Sequence, residues 1–145
     1  MFKDCYAIYD ESTAVVRLGN SKIEKLIRIN GSRIRTESVI DKGNQFDWSG
    51  NSLWQGSPIF DAGEKPQVIF KTEVIENPYV MKPHLKVLLC LKGINGTVWY
   101  EYLIFPEVGF IYNQNFVSKQ GEVLTGTYGL FMDTNINDLL ADFSE

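Results

Sequence analysis

Histidine is almost missing from this chain: among 145 residues there is one, His84. That scarcity excludes metal centres built on several imidazoles. His84 sits beside Pro83 at the start of an apolar run and reads as structural. A Ser-His-Asp triad lacks the Gly-x-Ser-x-Gly elbow that would present its nucleophile. There is no Gly-rich phosphate loop, no His-Glu-x-x-His and no Cys-x-x-Cys. Only two cysteines occur, Cys5 and Cys90. Cys90 lies within Val87-Leu88-Leu89-Cys90-Leu91 and reads as a small buried hydrophobe. A Cys5–Cys90 disulfide stays open, because backbone geometry decides it. No apolar run is long enough to span a bilayer, so no membrane partner is expected. The opening Met1-Phe2-Lys3-Asp4-Cys5 carries no charged-then-apolar leader. The compartment therefore stays open between the cytoplasm and export with a leader removed. Charge of one sign is also in short supply: the net value is −4, interspersed, with no basic stripe. Nucleic acid is not an expected partner.

Aromatic residues, in contrast, are plentiful: nine Phe, seven Tyr and three Trp. They suit a pleated, half-buried surface. The chain alternates strand, turn, strand. Residues 6–9 and 14–18 read as strands, the second ended by Gly19-Asn20. Residues 22–29 place Ile27 and Ile29 on one face and Lys22, Glu24 and Arg28 on the other, with Leu26 out of step. Asn30-Gly31 then predicts a type I′ hairpin turn into a return strand over 33–40, with Ile34 and Thr36 opposed to Arg33, Arg35 and Glu37. Residues 41–58 read as a long loop with at most one short strand. A strand over 67–75 is broken by Asn77-Pro78. Residues 84–92 and 97–105 form the clearest hairpin, turned by Gly93-Ile94-Asn95-Gly96. Leu85, Val87, Leu89 and Leu91 share one face, matched by Val98, Tyr100, Tyr102 and Ile104. Short extended pieces at 110–112 and 116–117 follow, then a weak last strand over 124–132. One short helix is expected at Asn137-Asp138-Leu139-Leu140-Ala141-Asp142-Phe143. The sum is one all-β domain over 1–145, an antiparallel two-sheet sandwich, with a closed barrel as the alternative.

Paired carboxylates suffice for glycoside hydrolysis, and Glu101 between Tyr100 and Tyr102 is the most suggestive acid. Strand alternation puts it on the face opposite those tyrosines, where it reads as a solvated cross-strand charge. Asp133-Thr134-Asn135-Ile136-Asn137-Asp138 begins like a calcium loop, but Asp138 stands where Gly is needed and Ser144 where Glu is needed. No metal and no cofactor are expected. Asn30-Gly31-Ser32 and Asn95-Gly96-Thr97 match a glycosylation sequon but read as hairpin turns. The candidate binding site is the loop Phe46-Asp47-Trp48-Ser49-Gly50-Asn51-Ser52-Leu53-Trp54-Gln55-Gly56. Within it, Trp48 and Trp54 offer indole faces to sugar rings, while Asp47, Asn51 and Gln55 can bond to hydroxyls. The competing reading has both indoles plugging the end of the sandwich. Trp99, mid-strand, reads as packing.

Several stretches also resemble a family. They are Leu18-Gly19-Asn20-Ser21-Lys22-Ile23-Glu24-Lys25, Arg28-Ile29-Asn30-Gly31, Val39-Ile40-Asp41-Lys42, and Glu101-Tyr102-Leu103-Ile104-Phe105-Pro106-Glu107-Val108. Over residues 18–112 the chain resembles the opening of the α-galactosidase-like glycoside hydrolases of family 36. The resemblance implies an N-terminal β-supersandwich. It also implies that the catalytic carboxylates belong to a (β/α)₈ barrel that follows. The chain is then expected to be an excised, non-catalytic accessory domain, partnered by the barrel of its parent chain. The Trp48–Trp54 loop would reach an oligo- or polysaccharide. A free-standing carbohydrate-binding module, or a structural or interaction sandwich with no sugar role, are the alternatives.

Overall fold

The computed structural model describes residues 2–47, 52–76 and 81–119. All regular structure among them is β. The first sheet takes β1 (Tyr6–Asp10), β2 (Val15–Gly19), β3 (Ile23–Asn30), β4 (Arg33–Asp41) and the two-residue β5 (Phe46–Asp47), in that order. The second takes β6 (Gln67–Ile75), β7 (His84–Lys92), β8 (Gly96–Ile104) and β9 (Ile111–Lys119). Every pairing is antiparallel between chain neighbours, the arrangement that short connections favour. No described strand joins the two sheets, so they form an open sandwich and not a barrel.

Period-two alternation decides what faces inward. Leu85, Val87, Leu89 and Leu91 of β7 are buried, as are Val98, Tyr100, Tyr102 and Ile104 of β8. They meet Val16 and Leu18 of β2 and Ile23, Ile27 and Ile29 of β3 in one apolar cluster. Tyr9 touches Phe70 with ring centroids 5.9 Å apart, setting β1 over β6. The 84–92/97–105 hairpin forms as expected, with Lys92 opposite Thr97.

Two local expectations are corrected, the central pair of the β3–β4 turn and the split of the last described strand, and the face reading of β3 holds with additions. Asn30 pairs with Arg33, so the central turn residues are Gly31 and Ser32, not Asn30 and Gly31. Only Gly31 has a positive φ, 61°, which matches the type II′ preference for glycine in the first central position. In β3 the odd-numbered set faces inward, and it includes Lys25. Lys25 Nζ lies 5.2 Å from the centroid of Tyr102 of the opposite sheet. Leu26 turns outward, half-buried. The pairing shifts between Leu26/Ser38 and Ile27/Thr36, leaving Glu37 as an extra residue on β4. This bulge keeps Arg28, Arg35 and Glu37 together on the outer face, where Glu37 pairs with both arginines. Finally, residues 111–119 are one strand and not two pieces, because all nine pair with β8. Asn113 and Asn115 break the apolar pattern but not the backbone ladder, which is indifferent to side-chain polarity. The expected last strand at 124–132, the helix at 137–143, the calcium-like run at 133–138 and the Asn77-Pro78 break lie outside the described residues.

Two polar staples join the sheets at one end. Asn20 is fully buried. Its Nδ2 donates to the carbonyls of Phe105 (2.7 Å) and Val108 (2.8 Å), and its Oδ1 accepts from the amides of Lys22 (2.7 Å) and Ile23 (3.1 Å). All four valences of the amide are used. Beside it, Asp4 accepts from the Ser21 amide and hydroxyl and from the Glu107 amide. The stretches around Asn20 and Pro106, far apart in sequence, therefore meet here.

Candidate functional site

The opposite pole, beyond the β3–β4 and β7–β8 turns, carries a cleft of about 700 Å³ lined by residues 30–33, 54, 56, 57 and 60–65. That volume lies within the range of small-molecule sites. Its first wall begins at the open edge of β4. Such an edge presents unpaired amides and carbonyls that must be satisfied. Gln55 exchanges two backbone hydrogen bonds with Ile34 (2.9 and 2.7 Å). Asp47 pairs with Ile40, and its carboxylate accepts from the Val39 amide at 3.1 Å. The Ser52 hydroxyl donates to the Thr36 carbonyl. The described parts of the predicted loop, residues 46–47 and 52–56, therefore run along the sheet edge.

This pairing sets the side chains. With Gln55 opposite Ile34, Trp54 lies across from Arg35 and Gly56 across from Arg33. The Arg35 guanidinium sits 4.8 Å from the Trp54 ring centroid, a cation–π contact that holds the half-buried indole. A methyl group on Gly56 would fall 3.2 Å from Arg33 Cγ and 3.8 Å from its Nε. The glycine thus lets the arginine stem lie flat at the cleft wall.

The second wall is the 57–65 loop, anchored by buried Phe60. Glu64 ties it to the β7–β8 turn: Oε1 accepts from the Asp61 amide and Oε2 from the Ile94 amide, both at 2.8 Å. Asn95 donates to the Ile59 carbonyl (3.3 Å) and to Asp61 Oδ1 (3.4 Å). Both sequon asparagines thus belong to turns at this pole. Arg33 and Lys65 are exposed, and their side chains have no hydrogen-bond or ion-pair partner among the described residues. Chemically, the cleft offers an indole, amide and hydroxyl groups, two carboxylates and two cations, and no histidine or cysteine among the described residues.

Of the five candidate residues, Trp54 lines the cleft. Gln55 stands on the β4 edge beside it, Asp47 lies toward the other end of β4 against Val39 and Ile40, and Trp48 and Asn51 lie outside the described residues. Arg33, Asp61, Glu64 and Lys65 were not singled out from sequence. The only sequence signal for them is the turn chemistry that brings their segments to one pole.

The other chemically suggestive residues fall elsewhere. Glu101 is on the outer face of β8, 3.8 Å from Lys86 Nζ, and accepts from Gln114 Nε2 at 3.2 Å. His84 is buried, with Nδ1 donating to the Lys82 carbonyl at 2.8 Å and its ring 5.0 Å from that of Phe105. Trp99 stacks on Phe116 at 5.6 Å. Cys5 and Cys90 are both free. Cys5 Sγ is 3.5 Å from the Ile104 carbonyl in the core, whereas Cys90 pairs across from Ile69 and Trp99 on the outer face of its sheet. Facing different layers, they cannot bond. Burial pushes each thiol up to about 11, away from the range of a nucleophilic cysteine. Tyr6 on the first sheet's outer face donates to Glu24 and accepts from Lys42 Nζ at 3.0 Å. Burial, then the Glu24 carboxylate, raises its phenol. Among the described residues, no three His, Cys, Asp or Glu side chains gather as metal ligands.

No protein-family model, curated protein or solved structure matches this chain.

Proposed function

We propose that this sandwich is a non-catalytic carbohydrate-recognition domain of a carbohydrate-active enzyme. The observation that carries the reading is the pole cleft, where Trp54 stands among hydroxyl, amide and charged groups. Sugars present apolar C–H faces and a rim of hydroxyls, and an aromatic ring bordered by polar groups matches both. The accessory role beside an α-galactosidase-like barrel is supported by the resemblance over residues 18–112. In that arrangement the barrel of the parent chain performs the hydrolysis, and this domain holds or orients the glycan.

The test is an NMR titration of the ¹⁵N-labelled domain with galactose and galacto-oligosaccharides, following the indole N–H of Trp54 assigned through Trp54→Phe. Saturable shifts at Trp54 and the 57–65 amides, lost in Trp54→Ala with the fold intact, are the expected result. An indole signal unmoved by every sugar sinks the recognition reading. The native polypeptide mass in the source cells tests the accessory role. A value several times 16.5 kDa supports it, and a value near 16.5 kDa leaves a free-standing module.

A further inference from the structure

The cleft's hydrogen-bonding capacity is lopsided. Its carboxylates are largely engaged from within the protein: Glu64 spends one oxygen on the Asp61 amide and the other on the Ile94 amide, and Asp61 receives Asn95 on Oδ1. Its cations are not. Arg33 and Lys65 line the same cavity without an acceptor among the described residues. Arg33 is also positioned: its stem lies against Gly56, where a methyl group would come within 3.2 Å of Cγ. A guanidinium offers five N–H donors in a fork that fits a carboxylate, and the lysine adds a mobile point charge. The two cations are thus the groups left to be answered, and a ligand carrying oxygen acceptors with negative charge answers them. A simple anion would leave Trp54 unused.

We infer that the cleft takes an acidic sugar, a glycan residue bearing a carboxylate, with Arg33 and Lys65 on the carboxylate and Trp54 against the ring. This rests on the recognition reading above and narrows its ligand. A neutral hexose would fill the same space without satisfying either cation.

The experiment compares D-galacturonate with D-galactose, and D-glucuronate with D-glucose, on the intact domain. Acetate serves as the anion control, and the Trp54 indole signal is the readout. At low salt each uronate should bind about fivefold more tightly than its neutral counterpart. The advantage should shrink as salt screens the charges. The double variant Arg33→Gln/Lys65→Gln should weaken uronate binding several times more than hexose binding. Both substituted positions are exposed, so the fold is expected to survive, and the amide spectrum reports whether it does. Equal binding of acid and neutral sugar overturns this inference and leaves the recognition reading standing. Acetate binding as well as the uronates overturns the sugar part of it. No response to any sugar overturns both.

Discussion

Replacing Asn20 by alanine should be among the most destabilising single changes in the domain. The amide is fully buried and makes four hydrogen bonds. Two of them cross from the first sheet to the carbonyls that follow β8. Alanine strands four backbone groups at once. Lys22 is an exposed residue and Phe105 and Val108 are half-buried ones, so their backbone groups are taken to regain water at about 0.5–1 kcal/mol each. The Ile23 amide belongs to a buried residue and costs about 1–3 kcal/mol if left alone. The sum is about 4 kcal/mol, a large share of the roughly 5–15 kcal/mol available to a domain. Urea unfolding of wild type and Asn20→Ala, followed by tryptophan fluorescence, measures it. At a slope of about 2 kcal/mol per M, the midpoint falls by about 2 M with the slope unchanged. Asn20→Asp is the companion. It keeps both acceptors but turns a carboxylate oxygen onto two carbonyls, so it should be at least as damaging at neutral pH. It should recover partly in acid, where the protonated carboxyl donates to one of them. A loss below about 1 kcal/mol for Asn20→Ala would refute the argument and mean that apolar burial alone holds this end of the sandwich.

Two further outcomes follow from the same physics. Burial tends to raise the Asp4 carboxyl, but the Ser21 hydroxyl, Ser21 amide and Glu107 amide outweigh it and hold the group below its ordinary value. A depressed carboxyl stabilises the fold above the unfolded pKa of about 3.9, and that contribution is lost as pH falls through the folded value. The stability gap between wild type and Asp4→Asn should therefore be full at pH 7 and close in acid. A gap independent of pH would contradict this account. The thiols of Cys5 and Cys90, both buried and pushed up to about 11, should resist an aromatic disulfide reagent in the native domain. Both should react once urea unfolds it. Rapid labelling of the folded protein would show that one of them is reached from solvent.

The sandwich was legible because its signals are short-range. The alternation from Leu85 to Leu91 and from Val98 to Ile104, closed by Gly93-Ile94-Asn95-Gly96, places a buried face and a turn without reference to the rest of the chain. The pattern misled where an inward slot is polar. Lys25 breaks the apolar set of β3, yet its aliphatic stem lies inside and its ammonium reaches the Tyr102 ring. Asn113 and Asn115 hid the continuity of β9 for the same reason. Asn30-Gly31 announced a hairpin correctly. The exact pair at its centre depended on which residues the bulged β3–β4 register left over.

The candidate site was half legible. Trp54 stood out by residue type, but what surrounds it did not. The 52–56 segment lies on β4 because that strand's edge is otherwise unpaired, and the exchange between Gln55 and Ile34 then fixes Trp54 on Arg35 and Gly56 beside Arg33. By itself, then, the sequence determined most of the described strands, their inward faces and where the hairpins fall, and its single histidine excludes a multi-histidine centre. Each of these is written in residues a few positions apart. Only the tertiary structure decided that Asn20 meets Phe105 and Val108, that the two cysteines face different layers, and that Arg33, Trp54 and Lys65 share one cleft. Those meetings depend on which backbone edges and polar groups remain unsatisfied after the local pairing is complete, and that is a property of the assembled sheets.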